Sequence, residues 1–192
     1  MIKLEIVREF ARPWLLQNLP DGLYYHNLRH TIDVVESALH IAATEAITNP
    51  HDLCLLETAA WLHDTGFAYT YTGHEAESCR LAKSWLPNWG AAATEVEMVC
   101  ELILATRIPQ RPQTKLQEIL CDADLDYLGR SDFETIANGL YKEWLAVGFV
   151  QSESDFQLKQ LNFIKQQQYF TAFSQQNRQP ALQLFLQKHL PA

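Results

Sequence analysis

The sequence predicts an all-α fold of eight or nine helices in one domain, and three observations carry that expectation. Apolar residues recur at helical spacing through most of the chain, short Ser/Thr-x-x-Glu/Gln patterns mark repeated helix starts, and no run alternates apolar and polar residues as a strand would. The 192 residues suit a single domain, 1–192, large enough to bury a substantial core.

Taken in order, the first helix spans Ile2 to about Leu16, with Ile2, Ile6, Phe10 and Trp14 at helical spacing, and the turn cluster Asn18-Leu19-Pro20-Asp21-Gly22 ends it. A second is expected from about Asn27 to Ile47. Asn49 then caps a third helix with Pro50 at its first position, where a missing N–H costs nothing. Leu53, Leu56, Ala60 and His63 share one face of it, so His63 points into the core, and Gly66 is the stop. A fourth helix covers His74 to Leu86, before Pro87. Thr94-Glu95-Val96-Glu97 opens a fifth, with Val96, Val99, Cys100 and Ile103 on its buried stripe, and Pro109 and Pro112 break it. The same capping pattern in Thr114-Lys115-Leu116-Gln117, Ser131-Asp132-Phe133-Glu134 and Ser154-Asp155-Phe156-Gln157 announces three more, and a last short helix runs from Pro180 to about Leu190.

Composition excludes several function classes. Hydrophobic residues make up 47% and charged residues 20%, with no apolar run near the ~20 residues a membrane span needs. The start, Met1-Ile2-Lys3-Leu4-Glu5, has no basic segment followed by an apolar stretch, so the expected location is the cytoplasm, with no membrane partner. A formal net charge of −8 without a basic cluster repels a nucleic-acid backbone. A small anionic ligand is still compatible, because a bound dication inverts the local potential. Cys54, Cys79, Cys100 and Cys121 are widely spaced and read as core thiols, neither disulfides nor zinc ligands. No feature fixes an oligomeric state.

Potential chemistry concentrates in three segments: Tyr25-His26-Asn27-Leu28-Arg29-His30, His63-Asp64 and Asp122-Ala123-Asp124. Imidazoles and carboxylates converging from separate helices are what holds a divalent cation while leaving positions open for water. His26 and His30, four residues apart, are placed to border one cavity, at its mouth and inside it. Asp64 stands at a helix C-terminus, where the dipole disfavours a carboxylate unless a cation compensates. In the third segment the apolar stripe Leu116, Ile119, Leu120, Ala123, Tyr127 puts Asp124 roughly 80° from its centre and Asp122 roughly 120° away. Asp124 is therefore the better inward candidate, and Asp122 is expected to orient a ligand from behind.

These segments, in order and spacing, resemble the HD-domain superfamily of metal-dependent phosphohydrolases over roughly residues 25–128, and the Tyr-His-Asn start further resembles its cyclic-nucleotide phosphodiesterase branch. The resemblance implies an all-α HD-type bundle in which His30, His63, Asp64 and Asp124 hold a divalent metal ion. It also implies that His26, four places before the first ligand, protonates the leaving oxygen. His74 is a candidate additional ligand, whereas Thr106 and Arg107 stand where two-metal relatives place another histidine, so one ion is expected and a second only with fewer protein ligands.

The expected activity is hydrolysis of a small phosphate ester, a nucleotide phosphomonoester or phosphodiester foremost, by a metal-activated water. Asp64 is the carboxylate able to bridge ions, His26 or Glu75 would move the proton, and Arg29 and Arg107 are candidate phosphate contacts. Two histidines and two aspartates suit Mn, Fe, Mg, Co, Ni or Zn. One alternative is a catalytically degenerate module that binds a nucleotide or protein partner around a structural metal. A lower-ranked alternative is a di-iron oxygenase of the same fold, for which His74 is the only obvious extra ligand.

Overall fold

The computed structural model describes residues 1–189. Among them are ten α-helices and no strand: α1 Leu4–Asn18, α2 Leu28–Thr44, α3 Pro50–Leu62, α4 His74–Trp85, α5 Ala93–Ala105, α6 Lys115–Asp124, α7 Phe133–Ala146, α8 Glu153–Gln166, α9 Ala172–Asn177 and α10 Gln179–His189. Short 3-10 turns at Thr65–Ala68, Leu86–Trp89 and Asp126–Gly129 redirect the chain after α3, α4 and α6. The expected eight or nine helices become ten chiefly because the six-residue α9 is too short to show a periodic pattern. Leu190, the expected end of the last helix, lies outside the described residues.

Several starts follow the local chemistry. Asn27 caps α2, its Oδ1 accepting from the Arg29 and His30 amides, and Asn49 caps α3 with Pro50 in the first turn. The Thr114 hydroxyl accepts from the Gln117 amide at the head of α6. Other caps fall elsewhere. At α5 the cap is Ala92, whose N–H donates to Glu95, two residues before the expected Thr94. At α8 it is Ser152 rather than Ser154, and at α7 Asp132 rather than Ser131, its carboxylate taken by Arg130. Adjacent hydroxyl and acidic residues offer overlapping frames of one motif, and packing chooses among them.

The main core joins α1 to α6, with Leu55, Leu56, Leu62, Ile103, Ile119 and Leu120 almost completely buried. A second apolar cluster joins Tyr25, Leu125 and Leu128 to Phe133, Ile164 and Leu182 of α7, α8 and α10. Polar ties bind this C-terminal part to α6 and its following turn: Arg178 donates to Asp126 at 2.7 Å, and the Tyr169 hydroxyl donates to the Leu125 carbonyl at 2.9 Å. All four cysteines are buried free thiols. No helix among the described residues is long and apolar enough to cross a membrane.

Candidate metal centre

His30 occupies the first turn of α2, and Asn27 capping fixes where that turn begins. His63 ends α3, 1% exposed, and its Nδ1–H donates to the Ala60 carbonyl at 2.8 Å. That bond leaves Nε2 as the free nitrogen facing the site. Asp64 departs from helical geometry at φ −103°, ψ 5° before the 3-10 turn, so two consecutive side chains reach one point instead of diverging by the helical ~100°. Ser78 of α4 straps this bend by donating to the His63 carbonyl at 2.6 Å and accepting the Gly66 N–H at 2.8 Å. Asp124 closes α6.

The four side chains meet. His30 Nε2 lies 3.4 Å from Asp64 Oδ2 and 3.2 Å from Asp124 Oδ1, and His63 Nε2 lies 3.3 Å and 3.6 Å from the same two atoms. Ligand atoms of His30, His63 and Asp124 all fall within 4.8 Å of one another. His30 Nε2, His63 Nε2 and Asp64 Oδ2 are buried without a hydrogen-bond partner. Such atoms turned toward each other call for positive charge among them, a proton on an imidazole or a metal ion, and two imidazole nitrogens with two carboxylates are a fitting donor set for a divalent ion. The carboxylates also leave their mark on the protonation of the ion-free cluster. Burial disfavours charge on His30, but Asp124 and Asp64 outweigh it and lift its pKa to about 9. Burial would likewise raise Asp124, and the two histidines overcome it, lowering its pKa to about 2.

The centre opens into a cavity of about 490 Å³, bordered by His26, Asp64, His74, Glu75, Arg107 and Asp124. His74 Nε2 stands 3.5 Å from Asp64 Oδ1, the oxygen facing away from the first cluster, and Glu75 Oε1 is 3.9 Å from the same nitrogen. Asp64 thus lies between the main cluster and His74. Thr106 offers no ligand there, since its hydroxyl donates to the Ile103 carbonyl. Arg107 is exposed at the cavity's edge. Arg29 does not line it: one residue before His30 on α2, it is rotated away and faces a separate groove with Asp33 and Glu36. Asp122 also departs from its expected role. It is fully buried and accepts from the Phe170 and Thr171 amides at 2.9 and 2.8 Å and from the Thr171 hydroxyl at 2.7 Å, so it anchors the start of α9 instead of orienting a ligand histidine.

Beside the metal centre stands Glu143, which is absent from the residues the sequence singles out. Completely buried on α7, it accepts from the Tyr25 and His26 amides at 2.8 and 3.0 Å, from the Tyr71 hydroxyl at 2.7 Å, and pairs with His26 Nδ1. Burial pushes its pKa up, and the bonds from His26, Tyr71 and the Tyr25 amide more than reverse this, holding it below the usual glutamate value. Phe67 completes the arrangement, stacked between the His26 ring at 4.2 Å and the His74 ring at 3.8 Å. No local motif marks Glu143; a lone acidic residue among the apolar positions of α7 is the only signal it leaves.

A solved structure of a predicted HD superfamily hydrolase from an uncultured Thermotogales bacterium shares the fold, with a TM-score of 0.55 and 24% identity over 96% of this chain and 87% of that one. A search among curated proteins returns no match. Residues 27–126, just over half of the sequence and including His30, His63, Asp64 and Asp124, match the HD domain, and the chain belongs to that family.

Proposed function

We propose that this protein is a metal-dependent phosphohydrolase that cleaves a small phosphate ester. The observation that carries the reading is the meeting of His30, His63, Asp64 and Asp124 at the wall of an open cavity that also holds His26. A divalent ion held by these four residues would supply a water acidic enough to ionise near neutral pH and neutralise charge on phosphoryl oxygens. The hydrolase description of the structural relative is in keeping with this.

The chain's own groups divide the remaining work. His26 Nδ1 is committed to the Glu143 carboxylate, so Nε2 is the nitrogen that exchanges a proton with the ester. In this reading His26 protonates the departing oxygen, a role that serves a monoester or a diester. Phe67, packed against the ring, keeps it from rotating out of line. Glu75, at the start of α4, is a second proton acceptor in the same cavity, and Arg107 reaches the phosphoryl group from the rim. His74 with Asp64 Oδ1 offers a poorer second position, so one ion suffices for the proposal and Mn, Fe, Mg, Co, Ni and Zn are the ions to test.

The test is metal analysis of the purified protein followed by hydrolysis of a panel of esters, read as phosphate release from monoesters and as alcohol release from diesters, with Asp64→Ala beside the wild type. The variant should lose both the ion and turnover. Hydrolysis that survives the substitution unchanged would remove the reading.

A further inference from the structure

The cavity extends well beyond the metal centre, and its far wall comes from α7 and α8, outside the stretch that matches the HD domain. Aromatic rings run along it in an unbroken series. Phe67 meets Tyr71 at 5.1 Å, Tyr71 meets Phe149 at 5.0 Å, Phe149 meets Trp144 at 6.4 Å, and Trp144 meets Phe156 at 5.6 Å. Leu125, Leu128, Leu140 and Phe163 face the same space. At its α8 side, between this cavity and a neighbouring groove along α7 and α8, lies Gln160, whose Nε2 is buried without a hydrogen-bond partner. An unpaired amide donor in apolar surroundings costs stability, which a ligand acceptor would recover.

Charge narrows the ligand further. Arg107 is the one lysine or arginine among the described lining residues, against the carboxylates of Asp64, Glu75 and Asp124. With a single dication bound, the lining has no surplus positive charge to neutralise a diphosphate or triphosphate chain. The volume of about 490 Å³ falls in the range of pockets that enclose a small organic molecule.

We infer that the ester accepted here carries one phosphoryl group on an uncharged, mainly apolar ring-bearing body, which lies along Phe149, Trp144 and Phe156 and takes one hydrogen bond from Gln160. The inference rests on the phosphohydrolase reading above for its phosphoryl end and adds the identity of the organic end. Specificity then resides in the C-terminal helices, while the metal centre belongs to the family-matched part.

The experiment is calorimetric binding of non-hydrolysable phosphonates to the Mn²⁺-loaded protein, read beside hydrolysis of benzyl phosphate and glycerol 3-phosphate, whose leaving groups are similarly basic. 2-Naphthylmethylphosphonate should bind at least about tenfold tighter than methylphosphonate, since each buried ring carbon adds transfer free energy. Phe149→Ala, at an exposed rim position, should weaken the naphthyl probe about fivefold and leave methylphosphonate unchanged. Wild type should prefer 4-acetylbenzylphosphonate to its 4-isopropyl counterpart of similar size by about fivefold, and Gln160→Leu should abolish that preference. Equal affinity for the naphthyl and methyl probes, or tighter binding of AMP or ATP than of the naphthyl probe, overturns the inference. The two readings fail separately: indiscriminate hydrolysis of both esters retains the phosphohydrolase and removes the apolar specificity, whereas selective phosphonate binding with neither ester nor the diester bis(4-nitrophenyl) phosphate cleaved does the reverse.

Discussion

Glu143 and His26 are 117 residues apart in sequence and form one unit: the carboxylate accepts the His26 main-chain N–H at 3.0 Å with one oxygen and meets the ring Nδ1 with the other. Backbone and side chain of the same histidine are thus held by a single buried anion. Tyr71 donates to that anion as well, which links α7 to the loop after the 3-10 turn and closes one side of the cavity.

If Glu143 positions His26 as a proton donor, Glu143→Gln should lower kcat on poor leaving groups by about a hundredfold with little change in KM. Hydrolysis of 4-nitrophenyl phosphate, whose leaving group needs no proton, should fall far less. Steady-state kinetics on benzyl and 4-nitrophenyl phosphates separate the two cases, and an equal loss on both would assign Glu143 a purely structural role.

Gly66 sets the distance between the metal centre and α4. A Cβ there would lie 2.0 Å from the His74 carbonyl oxygen and 2.8 Å from the Ser78 amide nitrogen, both backbone atoms that cannot swing aside. Gly66→Ala should therefore destabilise the fold by about 3 kcal/mol, at the upper end of ordinary overpacking, and move His74 relative to Asp64. Urea denaturation measures the first effect.

Asp122 and Asp124 are two residues apart and serve different neighbours. Asp122→Asn keeps the shape but puts an amide N–H₂ where oxygens now accept from Phe170 and Thr171, and should cost about 2 kcal/mol. Its metal content should match the wild type, whereas Asp124→Asn should lose metal. Elemental analysis of the two variants side by side distinguishes them.

Protonation of the ion-free cluster fixes the direction of a pH effect. His30 is raised from its ordinary 6.5 to about 9, so its stabilising contribution is complete below about 6.5 and is lost as pH rises through about 9. Asp124 is lowered from 3.8 to about 2, so its contribution is present above about 3.8 and is lost as pH falls through about 2. The ion-free cluster therefore contributes most between about pH 4 and 6.5. A cation needs the imidazoles neutral and competes with their protons, so the rise in Tm on adding Mn²⁺ should be small at pH 6 and grow toward pH 9. Thermal unfolding with Mn²⁺ or with a chelator across that range checks the trend.

By itself the sequence determined the all-α character, the caps at Asn49 and Thr114, the inward face of His63, and the order of the segments that carry His30, His63-Asp64 and Asp124. Each depends on side-chain spacing within one helix or on a cap a few residues long, interactions that close locally. Tertiary structure alone decided the rest. Asp122 looked less inward than Asp124 against the α6 stripe, yet it is the more buried because the segment before α9 folds over that side. Arg29 and Arg107 were equivalent as candidate phosphate contacts until packing turned one to a separate groove and left the other at the cavity rim. Glu143, Gln160 and the aromatic wall carry no local signature, because a buried carboxylate or an unpaired amide gains its meaning only from the groups that distant parts of the chain bring against it.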